Sequence, residues 1–376
     1  MNDWVYSRIA LAEYYLNSLD IGVVNRLALF SPRRRGKTLF LIHDLIPLAE
    51  QNDYFPVYAS LWDNLDHPQI PLLQSLREAV SLVKKRGKLT TLLATPIKKL
   101  TVGNSVIKAD IEFAQNPSAP TGNELAEISS LITEIAQAKK KKSLLLLVDE
   151  VQHISTHDAF KPIAFTLRTA ADKNLGKVKI IFTGSSRTGM RELFDKNNAA
   201  FYNSVERLDF PVLDDNFIEF CRTKLKKDFR ISTDFESMKA AFVSLDFSPY
   251  WFISVLFKMI LHKIELMEAL DVVRDEITEI EGYASLYNKL KPLDRIVLMA
   301  LTTNSHDIFS EATAKEYSKI LSEPIKVTTI QYTVNKLIKL QLVTKLGRSD
   351  YVVERPGLGQ YIREKSAEIA VGSLGK

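Results

Sequence analysis

The chain has 376 residues, 46% hydrophobic and 25% charged, the balance of a folded globular protein with room for two or three domains. Its 50 Lys and Arg against 45 Asp and Glu leave a formal net charge of +5, which permits nucleic-acid or acidic partners without demanding them. The single cysteine, Cys221, excludes an internal disulfide framework, and its expected place is as a small buried hydrophobe.

Residues 1–19, MNDWVYSRIALAEYYLNSL, carry acids early and lack a basic segment followed by an apolar one, so no secretory signal is expected. No run approaches the ~18–20 apolar residues of a membrane span, and a cytoplasmic setting without membrane contact is expected. The first strand is expected at Arg26–Phe30. Directly after it comes SPRRRGKT, residues 31–38, and then a helical pattern opening at Leu39. A loop between strand and helix cradles phosphate through its backbone N–H groups, with a lysine on the β- and γ-phosphates and a hydroxyl on Mg²⁺. Ser31, Pro32, Arg33, Arg34, Arg35, Gly36, Lys37, Thr38 and Leu39 are therefore the candidate nucleotide-binding residues, with Lys37 as the cation and Thr38 as the metal ligand. Ser31 stands where such loops open with glycine, which is tolerable if the position needs no glycine-only dihedral. The three arginine side chains are open to two readings, solvated or in contact with phosphate or a partner.

A second strand is expected at 56–62, followed by a helix at 71–87 with a basic end that suits the helix dipole. A Gly-Asn turn between β-branched stretches predicts a hairpin at 97–114, and 3.6-residue spacing predicts another helix at 122–142. LLLLV at 144–148 reads as a buried strand and delivers Asp149 and Glu150 at its C-terminal end. Two adjacent carboxylates there are costly unless cations neutralise them, so Asp149 is the candidate Mg²⁺ ligand and Glu150 the candidate base for an attacking water. His153, beside these acids, is expected to be a strand-end neighbour and not a ligand. The next strand, 178–183, ends in Thr183, Gly184, Ser185 and Ser186. Parallel strands bring their C-terminal ends to one edge, so Thr183 or Ser185 is a candidate sensor of the γ-phosphate. The alternation through residue 212 implies an α/β core with a parallel sheet flanked by helices.

Residues 213–285 turn helical with few strand signals. Residues 286–376 read as three helices and a Gly-centred hairpin, the order of a winged-helix domain. In its third helix Ile330, Val334, Leu337 and Ile338 share a core-facing stripe, leaving Thr328, Tyr332, Asn335 and Lys339 on another face. Between Lys326 and Ser349 there are five basic residues and no acids, so Thr328, Tyr332, Asn335, Lys336, Lys339 and Arg348 are candidate contacts to duplex DNA, with docking to a protein partner as the other reading.

SPRRRGKT, VDEVQHIS, IIFTGSSR and LFDKNNAAFYNSVERLDFPVLDDNFIEF together resemble the AAA+/STAND-type ATPases of the archaeal-ATPase family, in order over most of residues 20–370. The resemblance implies an AAA+-like core at 1–212, a helical lid at 213–285 and a winged helix at 286–376, with ATP and Mg²⁺ as cofactors. It further implies a lid proline near the adenine, for which Pro249 is the candidate although the usual preceding glycines are absent. Arg8, Tyr14 and Tyr15 would lie near the base in relatives, against the alternative of aromatic core packing. An arginine finger completing a neighbour's site in a homo-oligomer is sought at Arg187 or Arg207. Two functions follow as expectations: an ATPase whose nucleotide state controls DNA binding or assembly, or a STAND-like switch whose winged helix docks a protein.

Overall fold

The computed structural model describes residues 4–85, 116–138, 142–302, 307–340, 342–345, 351–353 and 357–365. The expected 97–114 hairpin and Arg348 lie outside these residues. The chain divides into two compact units, one of Met1–Ser105 with Ile111–Val212, the other centred on Leu213–Lys376.

In the first unit five strands form one parallel sheet in the order β2-β3-β4-β1-β5: β1 Arg26–Phe30, β2 Tyr54–Ser60, β3 Ser143–Asp149, β4 Val178–Gly184 and β5 Glu206–Asp209. The period-two geometry of a strand explains why β3 is apolar throughout. Leu144, Leu146 and Val148 enter one core while Leu145 and Leu147 enter the other. The first core is covered by α4 Gln69–Lys85, α5 Gly122–Ala138, α6 Lys161–Lys173 and α7 Arg187–Phe194. The second is covered by α1 Ile9–Asp20 and by the helix that follows the loop. That helix begins as α2 Lys37–Phe40, widens into a π turn at Leu41–Leu45 and continues as α3 Ile46–Gln51. Pro47 has no N–H to donate and its ring crowds the carbonyl four residues back, a sufficient cause for the widening.

The second strand runs over Tyr54–Ser60 and not 56–62, with Leu61–Asp63 a 3₁₀ turn. β2 is an edge strand, where Pro56 is tolerated, so the proline does not mark its start. β5 is a strand that the sequence did not announce, because Glu-Arg-Leu-Asp at the other edge is short and mostly exposed.

The second unit is helical. It comprises α8 Asp215–Phe229, α9 Phe235–Ser244, α10 Pro249–His262, α11 Leu266–Ile280, α12 Tyr283–Lys289, α13 Pro292–Thr302, α14 Glu311–Leu321 and α15 Val327–Lys339. An antiparallel hairpin of β6 Val343–Lys345 and β7 Tyr351–Val353 follows. Asp214, Asp234, Ser248 and Ser310 cap their helices with side-chain acceptors, as their residue types favour. Phe217, Phe242 and Phe252 pack with centroids 5.1–5.9 Å apart, and Cys221 is buried in the same helix as Phe217. Burial pushes the Cys221 thiol pKa up, which suits the expected inert hydrophobe. Among the described residues no helix is long and apolar enough to cross a membrane.

Candidate active site

All five strands run the same way, so Phe30, Ser60, Asp149, Gly184 and Asp209 end at one edge of the sheet. The loop of residues 31–36 leaves β1 at that edge. Its start is tied to β4 by a hydrogen bond from Ser31 N to the Gly184 carbonyl, 3.2 Å. The loop's positive φ angles fall at Arg34 (62°) and Gly36 (84°), not at Ser31, which is why serine can open it. Lys37 is only 5% exposed, and its ammonium is hydrogen-bonded to the carbonyls of Ser31 and, at 2.8 Å, Pro32. Burial lowers the Lys37 pKa, while the nearby Glu150 and Asp149 carboxylates push it back up.

Asp149, 2% exposed at the end of β3, is where four elements meet. Thr38 Oγ1 donates to its Oδ2 at 2.7 Å, and Tyr58 OH reaches the same oxygen from β2 at 3.0 Å. From β4, Thr183 Oγ1 donates to Oδ1, which also accepts from Glu150 N at 3.1 Å. Burial, and after it the Asp149 charge, raises the pKa of the Tyr58 phenol, which therefore acts as a donor. The next residue, Glu150, turns out of the strand in a left-handed conformation, φ 55° and ψ 40°. Its carboxylate Oε2 accepts from Ser185 Oγ at 2.7 Å and from Gln152 Nε2. The two candidate sensors are thus separated by partner: Thr183 touches Asp149, whereas Ser185 touches Glu150.

Ser31, Lys37, Thr38, Asp149, Glu150, Thr183 and Ser185 therefore gather at one edge. The remaining candidates have other surroundings. Leu39 is half exposed, and the Arg33 guanidinium lies 4.4 Å over the Trp62 ring. Arg187 stacks 4.1 Å over Phe30, and Arg207 pairs with Asp195 at 2.5 Å, so each is engaged within its own unit. His153 is buried with Nε2 2.7 Å from the Leu65 carbonyl. Tyr15 is core, its hydroxyl 2.5 Å from the Asp209 carbonyl, while Arg8 lies 4.5 Å over Phe210 and Tyr14 is exposed. Tyr58 and Gln152 escaped notice in the sequence. Tyr58 stands two residues before the end of the neighbouring strand and Gln152 two residues after Glu150, which is the only signal either gives.

In the second unit Pro249 occupies the first turn of α10, where its fixed φ suits a helix start. On α15, Ile330, Val334 and Leu337 are buried and Ile338 is half-buried, while Thr328, Tyr332 and Asn335 are exposed, Tyr332 at 72%. The Lys336 ammonium lies 2.5 Å from the buried carboxylate of Asp294 on α13. Asp294 also accepts from Lys291 N, so it caps α13 and needs the counter-charge. The Lys339 side chain lies outside the described residues.

No protein-family model and no curated protein matches the sequence. Solved structures do. The Walker-type ATPase PABY2304 of Pyrococcus abyssi aligns over 96% of this chain and 96% of its own, at 15% identity and a TM-score of 0.63. The ORC2 protein of Aeropyrum pernix in its ADP form aligns over 100% of this chain and 98% of its own, at 16% identity and a TM-score of 0.55. Its ADPNP-ADP complexes align over 96% and 93%, at 16% identity and a TM-score of 0.52. These likenesses, together with a sheet order that brings loop and acids to one edge, give the chain the fold of the AAA+ P-loop ATPases.

Proposed function

We propose that the chain binds ATP with Mg²⁺ and hydrolyses it, and that its nucleotide state controls DNA binding or assembly through a C-terminal winged helix. The observation that carries the first half is the convergence of Thr38, Tyr58 and Thr183 on Asp149, beside Lys37 and Glu150. A threonine hydroxyl 2.7 Å from a carboxylate oxygen is a pair of hard donors of the kind Mg²⁺ takes. Thr38 and Asp149 would hold the ion, and its contribution is charge neutralisation on the phosphate oxygens.

The chain's own groups supply the rest. Lys37 exchanges the loop carbonyls for phosphate oxygens, a stronger, charge-assisted partner. Glu150 orients a water and accepts its proton, while Ser185 fixes the carboxylate that does so. The nucleotides named with the ORC2 structures support adenine as the base. The division into a core at 1–212, a lid at 213–285 carrying Pro249 and a winged helix at 286–376 belongs to the same reading.

For the second half, three helices and a hairpin present Thr328, Tyr332 and Asn335 on one exposed face of α15. Docking of a protein partner is the second reading, favoured by the capture of Lys336 by Asp294, which removes one cation from that face, and by the exposed Tyr332 and Ile320. Titration of a labelled duplex against the ATP- and ADP-loaded protein, beside a Tyr332→Ala/Asn335→Glu variant, separates them. Nucleotide-dependent binding that the variant loses supports DNA. No binding in either state, with nucleotide bound, assigns the face to a protein.

A further inference from the structure

Gln152 lies in the 3₁₀ turn that follows Glu150, and it is buried. Its amide makes three contacts with two elements. Nε2 donates to Glu150 Oε2 and, at 3.1 Å, faces Ser185 Oγ, while Oε1 accepts from Ser185 N at 3.3 Å. Because Ser185 N can only donate, the orientation of the amide is fixed by the network. The surrounding backbone is shaped to admit this side chain. A Cβ on Gly189 would lie 2.6 Å from Gln152 Cβ, and one on Gly184 would lie 2.8 Å from Gln152 Oε1 and run into Met190 Sδ. Two glycines from β4 and α7 thus close on the same glutamine, which occupies the room that a Cβ at either would need.

We propose that Gln152 is a positioning residue for hydrolysis: its amide clamps the Glu150 carboxylate to the end of β4, so that base and sensor strand move as one. The inference rests on the ATP-hydrolysing reading above. Ser185 and Gln152 both bond Oε2, so among the described residues Oε1 is the oxygen left for a water. The clamp also holds a backbone that favours glycine, since Glu150 sits at φ 55°. Removing the amide frees the carboxylate to relax with the turn, which costs alignment of the base and not phosphate affinity, because among the described residues the Gln152 amide contacts go to Glu150 and Ser185.

The test uses the full chain with Gln152→Met, which keeps length and bulk while losing both hydrogen-bonding ends, beside wild type and Glu150→Gln. The expected result is a kcat about 10- to 100-fold lower with the Kd for a fluorescent ADP within about 2-fold. In a Glu150→Gln background, Gln152→Met should cost nothing further, because it acts through Glu150. Gln152→Glu, which keeps an acceptor for Ser185 N but sets a second carboxylate against Glu150, should lower kcat as Met does. An unchanged kcat, a parallel loss of ADP binding, or an equal loss in both backgrounds overturns the clamp. A crystal structure of Gln152→Met decides it without turnover: a displaced Glu150 carboxylate supports the clamp, and one still bonded to Ser185 in its present place overturns it. Absence of turnover in wild type would instead remove the hydrolytic reading and leave that structure to judge the clamp.

Discussion

Thr183, within β4, and Ser185, just past its end, bond different acids, so their loss should have different kinetic signatures. Thr183→Val preserves shape and removes the hydroxyl from Asp149; the Mg²⁺ concentration for half-maximal turnover should rise about 3- to 10-fold, the worth of one hydrogen bond near 1 kcal/mol. Ser185→Ala should lower kcat at saturating Mg²⁺ by a similar factor and leave the Mg²⁺ dependence alone. A Mg²⁺ titration of both variants checks the pair. Gly184→Ala belongs at this scale too, since the added carbon meets Met190 and Gln152; a loss of about 1–3 kcal/mol in denaturant unfolding is expected. His153 contributes a pH dependence at this edge. Burial lowers its pKa below the ordinary 6.5, so the folded state binds fewer protons than the unfolded one as pH falls through that value. Stability should therefore decline below pH ~6.5, and the decline should be shallower in His153→Gln, as followed by urea unfolding between pH 5 and 8.

Between elements, α13 and α15 are joined by the Lys336–Asp294 ion pair, and each carries buried apolar residues, Leu298 and Leu301 on α13 and Ile330, Val334 and Leu337 on α15. Lys336→Ala leaves the Asp294 carboxylate buried with Lys291 N as its hydrogen bond, and should destabilise the second unit by on the order of 2 kcal/mol. Replacing Lys336 and Asp294 together by Met and Leu should recover most of that loss in the same thermal or denaturant assay. This pair also shows where sequence reading stopped. The period of α15 placed Ile330, Val334 and Leu337 inside, but Lys336 flanks that stripe, and its pairing with a residue 42 positions away is not written in the local sequence. The sheet was legible for the same reason in reverse: β1, β3 and β4 are central and apolar on both faces, so continuous hydrophobic runs mark them. The edge strands β2 and β5 carry Pro56 and a Glu-Arg-Leu-Asp run, and edges obey weaker rules. Loop and acids were readable because the chemistry demands particular residue types at fixed spacing. Tyr58 and Gln152 were not, because many residue types could stand at either position and only the fold brings their polar tips to Asp149 and Glu150.

At the scale of the whole molecule, the first unit holds every group assigned to phosphate, metal and water, and the second holds the exposed helix face assigned to a partner. Lys37→Ala should therefore weaken ATP binding by about 10- to 100-fold while leaving the unfolding of the second unit unchanged, as calorimetry and nucleotide titration would show together. The central claim is that the acidic end of β3 hydrolyses ATP through Glu150, and steady-state phosphate release from ATP, with and without Mg²⁺, in wild type and Glu150→Gln, tests it most directly. The expected result is Mg²⁺-dependent release by wild type and a rate at least about 100-fold lower in the variant with ATP still bound. Release by Glu150→Gln at the wild-type rate would contradict it.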